Sequence, residues 1–141
     1  VAKENSNSFD NISFILDDAE KFKLGSKFDC ITASYLPKYC DPEILVKNCV
    51  NHLKPGGKIV FHDFTYPKNS VVRGLWNFFL TSLRLVGCLI PSWKDALIGL
   101  PKLIRSTKWL DRYSDVMKKS GLKVSSQYLT YGASAILTGI K

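Results

Sequence analysis

The sequence predicts an α/β fold with a mostly parallel sheet that ends in an antiparallel hairpin. The first observation is a strand, a helix and a second strand with short joints over residues 28–64, the unit from which parallel sheets are built. The second is a pair of apolar runs near the carboxyl end, 123–129 and 133–140, joined by a turn at Tyr131-Gly132. At 141 residues the chain is long enough to form one domain with its own core.

The helix of this strand-helix-strand unit has clear signals at both ends. Asp41 is a good N-cap, and Pro42 suits the first helical position, where its missing N–H costs nothing. Pro55 and the glycine pair that follows it stop the helix before the next strand. The apolar face that we expect to meet the core comprises Leu45, Val46, Cys49, Val50 and Leu53.

Three motifs resemble those of one enzyme family. The sequence Asp-Asp-Ala-Glu occupies 17–20, and Leu-Lys-Pro-Gly-Gly occupies 53–57. The carboxyl end, 130–141, has the pattern Thr-x-Gly…Gly-x-Lys. Together they resemble the class I S-adenosylmethionine (SAM)-dependent methyltransferases and, within that class, the ubiquinone/menaquinone biosynthesis C-methyltransferases of the UbiE/MenG type. The resemblance implies a Rossmann-like fold, of which this chain is the C-terminal part.

Within that resemblance the chain is a single methyltransferase-like domain, 1–141, that is incomplete at its amino end. The family's first strand, glycine-rich SAM loop and second strand have no counterpart in the sequence. The strand candidate 12–16 then has no native neighbour, and the strand over 28–34 has an open edge. Because an open apolar edge pairs with other chains, we expect a homodimer, completion by another chain, or displacement of 12–16.

Composition leaves several partners open. The net charge is +8, from 20 Lys and Arg against 12 Asp and Glu. The basic residues are scattered, so a solvated basic face and an anionic membrane surface are both consistent with them. Nucleic-acid binding rests on charge alone, without a basic helix or an aromatic-basic motif, and we do not expect it.

The cysteines predict no metal site. The four of them include no C-x-x-C pair, and only two histidines are present, which argues against zinc. Cys30 and Cys49 fall on apolar faces and are predicted to be small core residues. Nothing in the spacing suggests a disulfide framework, so we expect a reducing cytoplasm.

Residues 71–109 are apolar and aromatic, and we expect them to form a helical cover on the sheet. Arg73, Asn77 and Arg84 interrupt the first apolar stretch, and no uninterrupted run of about 20 apolar residues occurs, so a membrane-spanning helix is not predicted. The region can be a plain helical layer. It can also be a lid whose inner face holds a lipid-like substrate and whose outer face touches a membrane.

The last helix is predicted to begin at Thr107, a candidate cap. Trp109, Tyr113 and Met117 lie on its apolar side, as the helical spacing indicates. Gly121 follows two lysines and is the predicted stop.

The resemblance also implies a cofactor site along the carboxyl ends of the strands, where ligands bind in open α/β sheets. By the family pattern, Asp18 accepts a hydrogen bond from the adenine amino group of SAM, and the backbone N–H of Ala19 meets the ring. Ser34 lies near the methionine part. A carboxylate suits an exocyclic amine because it only accepts hydrogen bonds. The alternatives are that Asp18 simply enters a turn and that Ser34 is a small residue packed at a strand end.

Three residues are candidates for catalysis of carbon methylation, which requires an ionised ring oxygen and later loss of the ring proton. Lys38 lies where the family has the Arg of a Leu-Arg-Asn segment, and it supplies a charge without the planar fork. His62 and Asp63 end a strand, and alternation points them to opposite faces. His62 can act as a base near neutral pH or be a rim histidine without a role. His52, at a helix end, is predicted to be structural.

We therefore predict a SAM-dependent methyltransferase that acts on a carbon of an apolar or prenylated, quinone-like ring, in the cytoplasm or at the inner face of a membrane. The alternative is a non-catalytic methyltransferase-like module whose 71–109 region binds a lipid or protein partner. Lys38 and the missing glycine loop favour the alternative for this chain. The 53–57 and 139–141 motifs favour the enzyme for its parent, and we expect the isolated chain to be inactive.

Overall fold

The computed structural model describes residues 9–89 and 94–141. These residues form four strands and four α-helices, together with two short 3-10 turns. The strands are β1 (Phe28–Ser34), β2 (Leu53–Phe64), β3 (Lys123–Leu129) and β4 (Ser134–Ile140). The helices are α1 (Pro42–Asn51), α2 (Ser70–Leu89), α3 (Lys94–Thr107) and α4 (Trp109–Lys119).

The strands form one mixed sheet in the order β1-β2-β4-β3. β1 and β2 are parallel, with Ile31 opposite Ile59, and β4 is antiparallel to both β2 and β3. The α/β class, the strand-helix-strand unit and the C-terminal hairpin are therefore confirmed. In the described part of the chain the parallel share of the sheet is the single β1–β2 pairing.

α1 and α4 cover one face of the sheet and build the core with it. Side chains alternate along a strand, so Ile59 and Phe61 of β2 and Leu137 of β4 point to the same face, and all three are fully buried. The predicted apolar faces of both helices pack on these residues. They contribute Leu45, Val46 and Cys49 from α1 and Trp109, Leu110, Tyr113 and Met117 from α4.

The helix ends follow the sequence signals with two exceptions. The first is the end of α1 at Asn51, before the predicted stop at Pro55, so that Leu53, predicted for the helix face, begins β2. The Asp41 side chain accepts from the Ile44 N–H and caps α1. Gly121 has a φ of +81°, and the Leu122 N–H donates to the Met117 carbonyl, the hydrogen bond of a Schellman end. The prediction that Thr107 caps the last helix is wrong, because Thr107 belongs to α3 and Lys108 is the N-cap of α4.

Two of the family-like motifs meet at the amino end of β2. The Lys141 N–H donates to the Gly57 carbonyl at 2.9 Å, and the Gly56 N–H donates to the Lys141 carbonyl at 3.1 Å. The Lys141 ammonium also donates to the carbonyls of Val50 and Leu53, near the end of α1. Gly57 has no room for a Cβ, which would lie 2.9 Å from the Lys54 carbonyl oxygen. Both motifs are thus explained by the closure of the fold.

The predicted strand 12–16 does not form. Residues 12–16 have no strand structure, and Leu16 is fully exposed. A strand without a neighbour leaves its backbone N–H and C=O groups to water, so nothing offsets the cost of ordering it. Among the described strands none pairs with the outer edge of β1, as expected for an open edge.

The two cysteines predicted to lie in the core differ. Cys49 is buried in α1, and burial raises the pKa of its thiol to about 12. Cys30 is exposed, so that prediction is wrong. Cys30 lies on the face of β1 that points away from α1 and α4, with Thr32 and Ser34, and these three side chains are all exposed.

Within the predicted cover 71–109, the described residues 71–89 and 94–107 are helical, as predicted, and form the antiparallel pair α2 and α3. The Arg105 guanidinium of α3 donates to the Asn77 side chain of α2 at 2.6 Å. The Arg84 guanidinium of α2 donates to the Ile98 carbonyl of α3 at 3.4 Å. Among the described helices none is both long and apolar enough to cross a bilayer.

Candidate functional site

The carboxyl ends of β1 and β2 form the rim on which the predicted site residues lie. Ser34 is the last residue of β1, and it is paired in register with His62 of β2. The turn that holds Asp18 and Ala19 joins this rim at the amino end of α1, where the Glu20 carboxylate accepts from the Asp41 N–H. The structure therefore brings together residues that are widely separated in the sequence.

Asp18 is a half-exposed, ionised acceptor. Its carboxylate accepts from the Glu20 N–H at 2.9 Å and lies 3.4 Å from the Lys21 ammonium. The Glu20 hydrogen bond, and to a lesser degree Lys21, holds the pKa of the Asp18 carboxyl below its ordinary value. Ala19 packs against the core, which fixes the backbone of this turn. A carboxylate that stays charged and open to solvent fits an amine-bearing ring such as adenine.

The turn is also tied to the end of α1 by His52. The His52 Nε2 accepts from the Leu24 N–H at 3.1 Å, and its Nδ1 lies 2.8 Å from the Asn48 carbonyl. One neutral tautomer satisfies both contacts. The Phe22 ring packs on the imidazole at 4.7 Å. His52 is therefore structural, as predicted.

His62 lies on the opposite face of the sheet from Asp63, as the alternation predicted. The His62 ring is half-buried and meets the Tyr35 ring edge-on at 5.2 Å. The Tyr35 N–H donates to the His62 carbonyl at 2.8 Å, which joins the end of β1 to β2. Ser34 and His62 thus lie side by side on the open face of the sheet.

Lys38 and Asp63 form a buried ion pair. The Lys38 ammonium lies 2.8 Å from Asp63 Oδ1, and the two side chains are 3% and 0% exposed. Lys38 also donates to the Tyr35 carbonyl at 2.7 Å, and its ammonium lies 4.7 Å from the centre of the Tyr39 ring. The Asp63 carboxylate accepts in addition from the Phe64 and Lys38 backbone N–H groups. Both charges are fully partnered inside the protein.

The Lys38 pair holds the loop between β1 and α1 against the end of β2. Tyr113 of α4 also holds this loop, because its hydroxyl lies 2.9 Å from the Pro37 carbonyl and 3.3 Å from the Cys40 carbonyl. Burial is the main reason why the pKa of Tyr113 is raised, so the hydroxyl remains a donor. The rim is therefore a rigid part of the structure on this side.

A cavity of about 610 Å³ opens at the same end of the sheet, beyond β2. Tyr66 and Trp109 line it together with Tyr128 and Tyr131 at the turn of the hairpin. The Trp109 indole N–H donates to the Phe64 carbonyl at 2.6 Å, which fixes this wall to the end of β2. Its other lining residues include Ile104, Arg105, Lys108, Leu110 and Asp111 from α3, α4 and the joint between them. This volume and its aromatic lining suit a flat apolar ring.

The sequence does not predict the cavity. Its pattern places Trp109 on the core face of a helix and Tyr131 in a turn, and neither position indicates binding. Tyr66 lies two residues after the end of β2, and an aromatic residue close to a strand end is the signal that the sequence offers for it. Nothing in the spacing of the sequence indicates that the hairpin turn and α3 meet at this point.

Several solved structures share this fold, an O-methyltransferase family protein among them. An O-methyltransferase family protein from Burkholderia thailandensis matches over 99% of this chain and 40% of its own, with a TM-score of 0.58 and 17% identity. The pyocyanin biosynthetic protein PhzM matches over 99% of this chain and 39% of its own, with a TM-score of 0.64 and 16% identity. The fold is that of the class I methyltransferases, which confirms the predicted class.

Sequence comparison is more specific. The model of the ubiE/COQ5 methyltransferase family matches residues 1–141, and the chain belongs to that family. The ubiquinone/menaquinone biosynthesis C-methyltransferase UbiE of Hahella chejuensis is 27% identical over 136 residues, which cover 94% of this chain and 55% of the relative. The UbiE of Pseudomonas fluorescens is 27% identical over 135 residues, 93% and 53% of the two chains. The chain thus spans about half the length of these curated relatives.

Proposed function

We propose that the protein of which this chain is a part, or the whole, transfers a methyl group from SAM to a carbon of an apolar, quinone-like ring. The observation that carries the proposal is the aromatic cavity, which lies at the same end of the sheet as the rim residues. The family match, over residues 1–141, supports methyl transfer as the reaction. The names of the UbiE relatives support a quinone-like acceptor.

The rim residues fit the adenine and methionine parts of SAM. Asp18 offers a charged acceptor with its pKa lowered, and Ala19 presents backbone beside it on a turn packed against the core. Ser34 is exposed at the end of β1, where a small polar side chain leaves room for a ligand. SAM supplies a methyl group that its sulfonium already activates. What remains for the protein is to align the acceptor carbon with that methyl group.

The acceptor ring is proposed to occupy the cavity between Tyr66, Trp109 and the hairpin turn. Transfer forms a bond from the ring carbon to the methyl group as the methyl–sulfur bond breaks, and the ring then loses one proton. His62 does not line the cavity, but its imidazole lies half-buried beside Ser34 on the open face near the end of β2, and it is proposed as the base for a ring that extends from the cavity past that end. Lys38 and Asp63 are proposed to act through position, because their charges already satisfy each other.

The surroundings of the enzyme are proposed as well. The cysteine spacing suggests no disulfide framework, which supports a cytoplasmic protein. The protein is proposed to bind its apolar acceptor at the inner face of a membrane. The open edge of β1 is proposed to be covered in the working protein, either by a second copy or by another stretch of chain.

The test is a calorimetric titration with SAM of the 141-residue chain, beside a version extended at its amino end. Binding by the extended form alone supports a methyltransferase of which this chain is one part. Binding by the 141-residue chain shows that the rim at Asp18 and Ser34 suffices or that a second copy completes it. Binding by neither form contradicts the proposal and favours a non-catalytic module.

The acceptor and the base are tested in the form that binds SAM. Methyl transfer from radiolabelled SAM to a demethylated quinol is expected, and Tyr131→Ala is expected to raise the KM for the quinol without changing SAM affinity. His62→Gln is expected to lower kcat by about 10²-fold or more, with SAM affinity unchanged. An unchanged pH profile in His62→Gln would remove His62 as the base.

A further inference from the structure

The outer face of α2 is apolar and exposed. Val71, Leu75, Phe78 and Leu85 are each between 67% and 74% exposed. At 3.6 residues per turn they lie within an arc of roughly 80° on one side of the helix. Phe79, 50% exposed, lies beside them. We call these five residues the α2 stripe. Large apolar side chains gathered on an exposed face mark a site of interaction.

The helices that carry the α2 stripe are strongly basic. Residues 66–108 contain seven Lys or Arg and one acidic residue, so this segment holds most of the net charge of +8. Lys68 before α2 and Lys102 on α3 are exposed, whereas Arg73, also exposed, lies on the side of α2 opposite the stripe by the same spacing. An apolar stripe with basic surroundings is the pattern of helices that lie in the interface of an anionic membrane.

We propose that the α2 stripe docks on an anionic lipid bilayer, with its apolar side chains in the boundary between headgroups and acyl chains. A second copy of this chain is a poorer occupant, because it brings the same basic helices against one another. At a rise of about 1.5 Å per residue, the 20 residues of α2 form a helix about 30 Å long. The whole stripe can therefore lie flat in the interface.

Docking in this way places the cavity next to the bilayer. Asn69, before the first residue of α2, and Ile104 of α3 both line the cavity. An apolar acceptor can therefore pass from the lipid to the cavity beside the two helices. Delivery of the acceptor from the bilayer to the cavity rests on the proposed function. Membrane docking itself does not require SAM binding.

The test is sedimentation of the protein with vesicles of phosphatidylcholine alone or with 30% phosphatidylglycerol added. We expect partition to the anionic vesicles at least tenfold stronger than to the neutral ones. Partition is expected to weaken between 0.1 M and 1 M salt, as the Debye length falls from about 10 Å to 3 Å.

Paired variants identify the face. Leu75→Ser with Phe78→Ser is expected to lower partition at least tenfold, because these exposed side chains enter the bilayer. Ile44→Ser with Ile140→Ser also removes two exposed apolar side chains, 49% and 43% exposed, and is expected to leave partition unchanged.

A second pair tests the charge. Lys102→Glu is expected to weaken partition about fivefold or more. Lys123→Glu makes the same change in net charge on β3 and is expected to weaken partition much less. Both residues are exposed.

Three results would overturn the inference. The first is equal partition to neutral and anionic vesicles, or a loss of partition that is the same in each variant and its control. The second is a dimer, seen by analytical ultracentrifugation, that dissociates in the Leu75→Ser, Phe78→Ser variant while vesicle binding is absent. The third is partition by the 141-residue chain but not by an extended form that binds SAM, which means that other protein covers the stripe. Failure of SAM binding with intact anionic partition leaves the inference standing and removes only the proposed function.

Discussion

The two faces of the sheet differ in what covers them, although the same strands build both. Toward α1 and α4, Ile59, Phe61, Asp63 and Leu137 have no exposed surface. Toward the other side, Thr32 and Ser34 are exposed, and His62 is half-buried. The covered face carries the stability of the domain, and the open face offers side chains that a ligand or another layer of protein can reach.

This difference sorts the candidate catalytic residues. His62 and Asp63 are neighbours in the sequence, yet one lies on the open face and the other on the covered face. Asp63 is committed to Lys38 and to two backbone N–H groups. His62 remains next to Ser34 at the end of β1. Adjacent polar residues at a strand end can therefore have unrelated roles, one in packing and one in the site.

The largest expected effect is at the buried ion pair. Asp63→Ala leaves the Lys38 ammonium buried without its partner and is expected to destabilise the domain by about 3–5 kcal/mol. Urea unfolding measures the free energy. The double variant Lys38→Met, Asp63→Leu removes both charges and is expected to recover most of the loss.

Asp29 offers the matched control for this pair. It lies 2.8 Å from the Lys54 ammonium, and both side chains are largely exposed. Asp29→Ala is expected to give no measurable change, because water and salt screen an exposed pair. Equal effects of Asp29→Ala and Asp63→Ala would show that the Lys38 pair is not desolvated in solution.

The next effect contrasts apolar packing on the two faces. Leu137→Ala removes a fully buried side chain from the covered face and is expected to cost about 2–5 kcal/mol. Thr32→Ala, on the open face, is expected to lie within about 0.5 kcal/mol of the parent. Chemical unfolding of both variants gives the comparison. A large loss in Thr32→Ala would mean that the open face is covered in solution.

A smaller effect is expected where α4 holds the rim. Tyr113→Phe removes the hydroxyl that donates to the Pro37 carbonyl, which then keeps only the Cys40 N–H at 3.3 Å, and the loss is expected to cost about 0.5–1.5 kcal/mol. Tyr128→Phe, half-exposed on β3, is the control and is expected to be neutral. Hydrogen exchange should show faster opening of residues 35–40 in Tyr113→Phe alone. Equal exchange in both variants would argue against this anchor.

The mildest test changes no residue and compares two thiols. At pH 8, iodoacetamide is expected to label Cys30 in the folded protein, because this side chain is exposed. Cys49 is expected to react only when the protein unfolds, since it is buried and burial raises the pKa of its thiol to about 12. Peptide mapping by mass spectrometry gives both rates. Equal rates would contradict the difference between the faces.

The raised pKa also fixes the sign of a pH effect. The Cys49 thiol ionises near pH 9 in the unfolded chain and near pH 12 in the folded one, so the folded state holds its proton more tightly. Its contribution to stability is fully present below pH 9 and is lost as the pH rises from 9 to 12. Cys49→Ala is expected to flatten this part of the stability profile. A profile of Cys49→Ala that falls as steeply as the parent's would contradict this assignment.

Local signals predicted much of the fold. The Asp41 cap, the Gly121 stop and the alternation along β2 each depend on a few neighbouring residues, and the structure has all three. The motifs that indicated the family were also local, and two of them meet at the amino end of β2, where Gly57 and Lys141 pair. They therefore predicted the family without locating the cavity at the other end of the sheet.

Two of the errors, at residues 12–16 and at Cys30, have the same physical cause. Residues 12–16 and Cys30 have apolar sequence patterns that are typical of buried strands, but burial depends on a neighbour that a pattern does not contain. Residues 12–16 have no strand beside them, and no described helix covers Cys30. Thr107 is a good cap by type, yet α3 continues through it.

The sequence by itself determined the α/β class, the order of the elements from β1 to β4 and the family, because periodicity, caps and turn residues act over a few positions. Tertiary structure alone decided that Lys38 and Asp63 neutralise each other, that His62 stays apart from them, and that Tyr66, Trp109 and Tyr131 enclose one cavity. The Lys38–Asp63 pair and the hydrogen bond from Trp109 to Phe64 join residues 25 and 45 positions apart, a separation over which no local pattern acts.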